Sequence, residues 1–135
     1  MRCLAFFALM LLCVTPVRAG TDETAVQSII TSQMEALGRD DAEVAFSLAS
    51  PTIHEIFQDP NIFLHMVQQG YAPVYRHKSV EFGESRGSAP KIAQIVHIID
   101  ADGVAWEALY SLEQQPDGSW KISGCALLKA TDGTV

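Results

Sequence analysis

The chain has 135 residues and a formal net charge of −7 at pH 7, from 9 basic and 16 acidic side chains. This length is enough for one domain and too short for two. The acidic excess, without any Lys/Arg cluster, excludes nucleic acid and anionic lipid surfaces as expected partners, because both repel negative charge.

The first segment has the pattern of a secretory signal peptide. A basic start at Arg2 precedes twelve consecutive apolar residues, Cys3–Val14, and small residues stand at the positions that determine cleavage after Ala19. The apolar run is shorter than the roughly 20 residues that a membrane span needs. We therefore expect residues 1–19 to be a cleaved signal peptide. Residues 20–135 should form a single exported domain, in the bacterial periplasm or outside the cell, with no stable membrane anchor.

Loss of this segment changes the cysteine count and the charge. Cys125 is then the only cysteine, so no internal disulfide is expected and the core must hold the fold. Because Arg2 and Arg18 also leave, 7 basic side chains remain against 16 acidic ones, which gives a net charge of −9.

The next part of the chain has helical periodicity. Four helices are predicted from caps and breakers, with boundaries at Thr21 or Asp22 to Gly38, Asp40 to Ser50, Thr52–Phe57, and Asp59 to Gly70. Gly38 fits a left-handed position, Asp40 and Glu43 form a capping box, and Pro73 is expected to keep the chain extended. Their buried side chains are expected to be Val26, Ile29, Ile30, Met34, Leu37, Ala42, Ala45, Phe46, Ala49, Ile62, Phe63, Met66 and Val67.

After Tyr75 the apolar period switches to two, which predicts strands. The candidate strands are Arg76–Glu84, Lys91–Ile99, Val104–Glu113 and Ser119–Lys129. Turn sequences DADG and QPDG join the last three strands, so antiparallel hairpins are expected. Helices followed by an antiparallel sheet predict an α+β domain, in which N-terminal helices pack on one face of a four-stranded sheet.

The strand alternation also predicts which side chains face the helices. The third strand should turn Val104, Trp106, Ala108, Tyr110 and Leu112 inward. An even-length loop before it would place Ala93, Ile95, His97 and Ile99 on the same side. A three-residue loop after it would add Trp120, Ile122, Gly124 and Ala126. A slip of one residue would turn a strand over.

Several blocks of the sequence together resemble a known family. The blocks are RDDAEVAFSLASPTIHEIF, FLHMVQQGYAPVYR, VEFGE and GSWKISGCALLKA, which span roughly Ala25 to Ala130. They are similar to the exported bacterial family called domain of unknown function 4864. In topology that family resembles the cone-shaped superfamily of nuclear transport factor two and ketosteroid isomerase. The resemblance implies a curved sheet around helices, an internal pocket and frequent dimerisation through the sheet. It implies no activity, cofactor or catalytic residue.

The residue pattern does not supply acid–base or metal chemistry. No carboxylate falls on the predicted inner face, which argues against a general base of the ketosteroid-isomerase kind. His54, His65 and His77 are predicted at the surface, and no two histidines have metal-ligand spacing, so no metal is expected. The sequence has no glycine-rich phosphate loop, and no cofactor is expected. Cys125 is a nucleophile by type, but its surroundings favour an inert packed thiol.

Six side chains remain as candidates for ligand binding, namely Gln33, Tyr71, Tyr75, His97, Trp106 and Tyr110. His97 is either a satisfied core residue or a hydrogen-bond partner and weak base beside Tyr110. Gln33 either bonds to a loop backbone or contacts a ligand. Trp106 and Tyr110 are either core or a ligand platform, and the two other tyrosines either gate the pocket mouth or plug it.

Three functions follow as hypotheses. The first is non-catalytic binding of a small apolar or amphipathic ligand, or of a protein partner, between helices and sheet. The second is a small lyase, isomerase or hydrolase that uses His97 and Tyr110, with Gln33 orienting the substrate. The third is a structural homodimer through the outer sheet face, formed by Ala105, Leu109, Ser111, Cys125 and Leu127.

Overall fold

The computed structural model describes residues 20–130, and it consists of helices followed by one sheet. The helices are α1 Gly20–Gly38, α2 Ala42–Ser47, α3 Pro51–Phe57, α4 Pro60–Gly70 and α5 Ala72–Tyr75. The strands are β1 His77–Ser88, β2 Lys91–Asp100, β3 Ala105–Gln114 and β4 Trp120–Lys129. The predicted α+β class is confirmed. The predicted signal peptide lies outside the described residues.

No helix in the described range 20–130 has the length and apolar character that a membrane crossing requires.

The sheet is an antiparallel meander in the order β1-β2-β3-β4. The turn between β2 and β3 is organised by Asp100, whose carboxylate accepts hydrogen bonds from the backbone N–H of Asp102 at 2.9 Å and of Val104 at 2.8 Å. The indole N–H of Trp106 donates to the same carboxylate at 2.9 Å. Gly103 has a φ of 83°, a left-handed conformation that glycine adopts without strain.

The end of α1 differs from the prediction. Gly38 stays helical, and the left-handed residue is Asp40, with a φ of 58°. Asp41 therefore caps α2, and its side chain accepts from the backbone N–H of Val44 at 3.2 Å. The physical reason is a distant partner, because Nη1 of Arg76 donates to the Gly38 carbonyl oxygen at 3.0 Å and satisfies the helix end.

Two expectations about α4 and its connection to the sheet are also wrong. Pro73 does not hold the chain extended but lies in the first turn of α5, where a helix needs no N–H from it. Ile62 was expected in the core and is exposed. Its neighbours Phe63 and Val67 are buried, so the apolar stripe of α4 is narrower than predicted.

The predicted orientation of β2 was wrong, and the length of a loop explains why. Ile99 pairs with Ala105, so the loop between them holds an odd number of residues, and Ile98 lies opposite Trp106. The buried side chains of β2 are therefore Ile92, Gln94, Val96 and Ile98. His97, which was expected to face the helices, is exposed on the outer side.

Gln94 is buried although it is polar, because an irregularity in β1 supplies its partners. The pairing of β1 with β2 shifts between Phe82 and Ser85. The side-chain amide of Gln94 donates to the backbone oxygen of Gly83 at 2.9 Å, within this shift. Its oxygen accepts from Gln27 at 3.4 Å, which links the sheet to α1.

A bulge in β4 changes which of its side chains face the helices. Ser111 pairs with Gly124 while Leu112 pairs with Ile122, so Ser123 is the extra residue. Trp120 and Ile122 are buried as predicted.

Beyond the bulge the predicted orientation is inverted. Cys125 pairs with Tyr110, and Leu127 pairs with Ala108, on the side that packs against the core. Ala126 is exposed. Cys125 and Leu127 therefore do not belong to the outer face, where the dimer hypothesis had placed them.

Candidate functional site

A cavity of about 310 Å³ lies between the helices and strands β3 and β4. Most of its wall is apolar, and α1, α3 and α4 contribute Leu37, Ile53, Phe57, Phe63, Met66 and Val67 to it. The sheet contributes Tyr110, Ile122, Gly124 and Cys125. The cavity is therefore a space between the two layers, bounded on both sides by side chains of the hydrophobic core.

Helix α3 covers this cavity without filling it. It starts after Ser50 with Pro51 in its first turn, and none of its side chains is fully buried. Ile53 and Phe57 are half-buried, and the exposed Ile56 also contributes to the wall.

His54 holds α3 onto α2. Its ring stacks on Phe46 with 4.0 Å between ring centroids, and its Nε2 donates to the Phe46 carbonyl oxygen at 2.6 Å. His54 is half-buried, so its predicted surface position is only partly correct.

Gln33 places an amide in the apolar wall. Its side chain is 4% exposed, and Nε2 donates to the backbone oxygen of Ala45 at 3.1 Å. The predicted bond to backbone therefore exists, and it joins α1 to α2. Among residues 20–130 no donor reaches the other end of the amide, Oε1. Ligand contact by Gln33 stays a prediction.

Tyr110 contributes its ring to the wall while its hydroxyl is enclosed. The residue is 1% exposed, and within the described part of the chain the hydroxyl oxygen has no hydrogen-bond partner of ordinary geometry. Burial raises the pKa of Tyr110 well above its ordinary value of 10.0, and the neighbouring Cys125 raises it further. The hydroxyl is therefore neutral throughout the physiological pH range.

Cys125 lies opposite Tyr110 and behaves as a small apolar side chain. Burial raises the pKa of its thiol to about 12, and proximity to the Tyr110 hydroxyl offsets this only in part. The thiolate is the nucleophilic form, so a thiol with this pKa is unreactive near pH 7. This supports the packed-thiol alternative over a nucleophile.

Of the two tyrosines expected at the pocket mouth, only Tyr71 lies at the cavity. Its hydroxyl donates to the Cys125 backbone oxygen at 3.0 Å, which ties the end of α4 to β4. Tyr75 instead faces a second pocket of about 430 Å³. There its hydroxyl donates to Asp40 and accepts from Nη2 of Arg76 at 2.8 Å.

His97 and Trp106 do not contribute to the wall of the cavity. His97 lies on the outer face, where strand pairing sets it between Glu81 and Glu107. Trp106 is half-buried at the end of the sheet that holds the β2–β3 turn, bonded to Asp100. Since His97 and Tyr110 point to opposite faces of the sheet, a mechanism that uses both lacks the required geometry.

The cavity wall has no titratable group suited to acid–base catalysis at neutral pH. No Asp, Glu, His, Lys or Arg of the described segment lines it. Among residues 20–130, no group of three His, Cys, Asp or Glu side chains is placed to hold a metal ion. The arrangement can enclose an uncharged molecule and offer it few hydrogen bonds.

Sequence reasoning missed the contribution of α3. Ile53, Ile56 and Phe57 line the cavity, yet they were assigned only to a short helix between two prolines. The sequence does contain a signal for this contribution. A segment this short cannot bury its three apolar side chains by itself, which indicates that they pack against another part of the protein.

Comparison with known proteins supports the family resemblance. The family model described as "Domain of unknown function (DUF4864)" matches residues 19–135. No curated protein matches the chain.

Proposed function

Because the chain belongs to the family described as domain of unknown function (DUF4864), whose description assigns no activity, we propose a function from the cavity itself. The protein binds a small apolar or amphipathic molecule, without catalysis, between helices and sheet. The observation that carries this proposal is an apolar cavity of about 310 Å³ without a charged side chain in its described wall.

The size and lining of the cavity support binding of a small molecule. Ligand sites in proteins commonly enclose about 300–1,000 Å³, are mostly apolar and present a few polar groups that orient the ligand. This cavity is at the small end of that range. A compact hydrocarbon or aromatic body fits it better than a long lipid chain.

The electrostatics of the cavity favour an uncharged occupant. Two of the weakly acidic side chains in its wall, Tyr110 and Cys125, have a raised pKa and remain neutral near pH 7. A charged ligand group would lose its hydration without gaining an opposite charge, which is strongly unfavourable. The same neutrality leaves no general base for catalysis.

Export is part of the proposal. A ligand-binding protein that acts in the periplasm or outside the cell must lose residues 1–19. N-terminal sequencing of the protein from a periplasmic extract should therefore begin at Gly20. A protein that keeps Met1 and stays in the cytoplasm would contradict this part.

The binding proposal is tested with an uncharged fluorophore, N-phenyl-1-naphthylamine. We expect saturable binding of one molecule per chain, competed by small aromatic hydrocarbons. Ile53→Trp inserts a larger side chain at the cavity wall and should weaken binding at least about tenfold, since the added ring takes space from the ligand.

The matched control is Ile62→Trp on the exposed side of α4, which should bind like wild type. Circular dichroism establishes that both variants fold. If wild type does not bind the fluorophore, or if the Ile53 and Ile62 variants bind it equally, the proposal is wrong.

A homodimer through the outer sheet face is a second proposal. Leu128 is 68% exposed and Leu109 is 42% exposed, so the outer face of β3 and β4 presents two large apolar side chains to solvent. Leu109 pairs with the small Ala126, and Leu128 pairs with Glu107. Light scattering should give twice the chain mass for wild type and a monomer for Leu128→Lys, and a monomeric wild type would refute the proposal.

A further inference from the structure

The amide of Gln33 is nearly buried in the apolar wall of the cavity. Its Nε2 donates to the Ala45 backbone oxygen at 3.1 Å. A carbonyl oxygen only accepts hydrogen bonds, so this contact requires the NH₂ end of the amide and fixes its orientation. The oxygen Oε1 is thereby held as the end without a donor among the described residues.

The remaining polar groups of the wall are weaker acceptors than an amide oxygen. The Tyr71 hydroxyl donates to the Cys125 backbone oxygen at 3.0 Å, and its own oxygen remains able to accept only as a phenol oxygen. The Tyr110 hydroxyl is fully enclosed, so a ligand in the cavity does not reach it. The Cys125 thiol is a weak hydrogen-bonding group. Within residues 20–130, Gln33 Oε1 is thus the strongest acceptor left for an occupant.

We propose that Gln33 is a specificity-determining residue, and that the cavity selects uncharged molecules that carry one hydrogen-bond donor on an apolar body. A phenol or a small alcohol belongs to this class. The inference rests on the proposed binding function and adds a chemical class to it. A buried acceptor that a ligand satisfies favours that ligand over an analogue without the donor.

Gln33 occupies a position in α1 where the neighbouring side chains are apolar, so burial of its amide has a free-energy cost that a ligand would offset. Ile30 and Leu37, one helical turn before and after Gln33, are fully buried apolar residues of the same stripe. An apolar residue at position 33 would remove this amide from the wall. Glutamine keeps one bond to α2 and presents a second polar atom that this fold does not use.

The test compares two ligands that differ only in the donor. para-Ethylphenol donates one hydrogen bond, and para-ethyltoluene has a methyl group in the place of the hydroxyl. Their affinities are measured by displacement of N-phenyl-1-naphthylamine from wild type and from Gln33→Met. The preference for the phenol should fall about three- to tenfold in the variant, which corresponds to one lost hydrogen bond.

The ratio of the affinities for the two ligands separates hydrogen bonding by Gln33 from a general change in cavity packing. A purely structural effect of Gln33→Met weakens both ligands equally and leaves the preference unchanged. Gln69→Met is the matched control, because Gln69 is an exposed glutamine of α4 that does not line the cavity, and the preference of this variant should equal that of wild type. The anion para-ethylbenzoate should bind wild type more weakly than either neutral probe.

The outcomes distinguish this inference from the binding proposal. An unchanged phenol preference in Gln33→Met overturns the inference and leaves ligand binding intact. Failure of wild type to bind any probe overturns both. If Gln33→Met does not fold, the side-chain amide NMR signals of wild-type Gln33 decide, because para-ethylphenol should shift them and para-ethyltoluene should not. Equal shifts refute the role of Gln33.

Discussion

Replacing Tyr110 by phenylalanine should leave the protein at least as stable as wild type. The ring stays in place, and the hydroxyl that is removed is buried beside the Cys125 thiol and makes no hydrogen bond of ordinary geometry within the described residues. An unsatisfied buried hydroxyl costs about 1–3 kcal/mol in desolvation. The lost packing around one oxygen atom offsets a few tenths to about 1 kcal/mol of this gain. We therefore expect the free energy of unfolding to rise by about 1 kcal/mol.

Tyr71→Phe is the matched control, because both tyrosines line the same cavity and differ in the bonding of the hydroxyl. Tyr71 donates to the Cys125 backbone oxygen at 3.0 Å, so its loss should cost about 1 kcal/mol. Urea unfolding followed by tryptophan fluorescence measures both variants. A change of about 1 kcal/mol also moves the melting temperature by roughly 4 °C in a domain of this size.

The two variants should therefore shift the urea midpoint in opposite directions. A loss of stability in Tyr110→Phe similar to that in Tyr71→Phe would show that the Tyr110 hydroxyl does have a bonding partner. The account of an enclosed, unpaired hydroxyl would then be wrong. The nearby Cys125 thiol would be the first group to test as that partner.

Further predictions concern two groups with shifted pKa values. With a pKa of about 12, Cys125 should react with iodoacetamide at pH 8 at least roughly 100-fold more slowly in the native protein than in urea, and equal rates would contradict its burial. Between pH 9 and about 12 the thiol keeps its proton in the folded protein but loses it in the unfolded chain. The free energy of unfolding is therefore unaffected by this group below pH 9 and falls as the pH rises towards 12. Cys125→Ala should reduce this alkaline loss. Hydrogen bonds from Trp106 and the Val104 backbone lower the pKa of Asp100 below 3.8, so its contribution to stability is present above 3.8 and is lost as the pH falls through the lowered pKa. In urea titrations, Asp100→Asn should be less stable than wild type at pH 7 but not at a pH below the pKa of Asp100. The control is Asp102→Asn in the same turn. An equal loss of stability in that variant would refute the role of the Asp100 carboxylate.

Most elements of the fold were predictable because their signals are local, but β1 continues to Ser88, four residues beyond the predicted Glu84, and α5 was not predicted. Proline and aspartate mark the starts of α3 and α4, and both helices begin within a residue of the predicted sites. Glycine turns separate β2, β3 and β4, whose observed ends differ from the predicted ones by one residue at most. The family assignment is likewise confirmed by the match over residues 19–135.

The orientation of side chains was less predictable because it depends on pairing across strands. Tyr110 was correctly placed inward, since alternation within β3 is a property of β3 alone. His97 was misplaced because its face depends on the parity of the β2–β3 loop. That parity is set by the hydrogen bonds of Asp100, which only the folded turn displays.

The candidate site was predicted only in part, because local periodicity places some of its residues and contacts between distant segments place others. Gln33, Tyr71 and Tyr110 line the cavity, and their positions follow from helix periodicity, a helix end and strand alternation. Tyr75 is held by Asp40 and Arg76 on the other side of α1, an interaction between distant segments that periodicity does not reveal.

The bulge at Ser123 and the edge of β4 together account for the cavity. Just before the bulge, the backbone of Ile122 donates to Leu48 at 2.9 Å and accepts from Ser50 at 2.8 Å, which fixes the helical layer to the edge strand. Helix α3 begins directly after this contact, so its start is held at the sheet edge. Beyond the bulge, Gly124 lines the cavity without a side chain and the small Cys125 faces inward. Because the sheet presents little volume where α3 passes over it, the two layers enclose a space there instead of closing into a solid core.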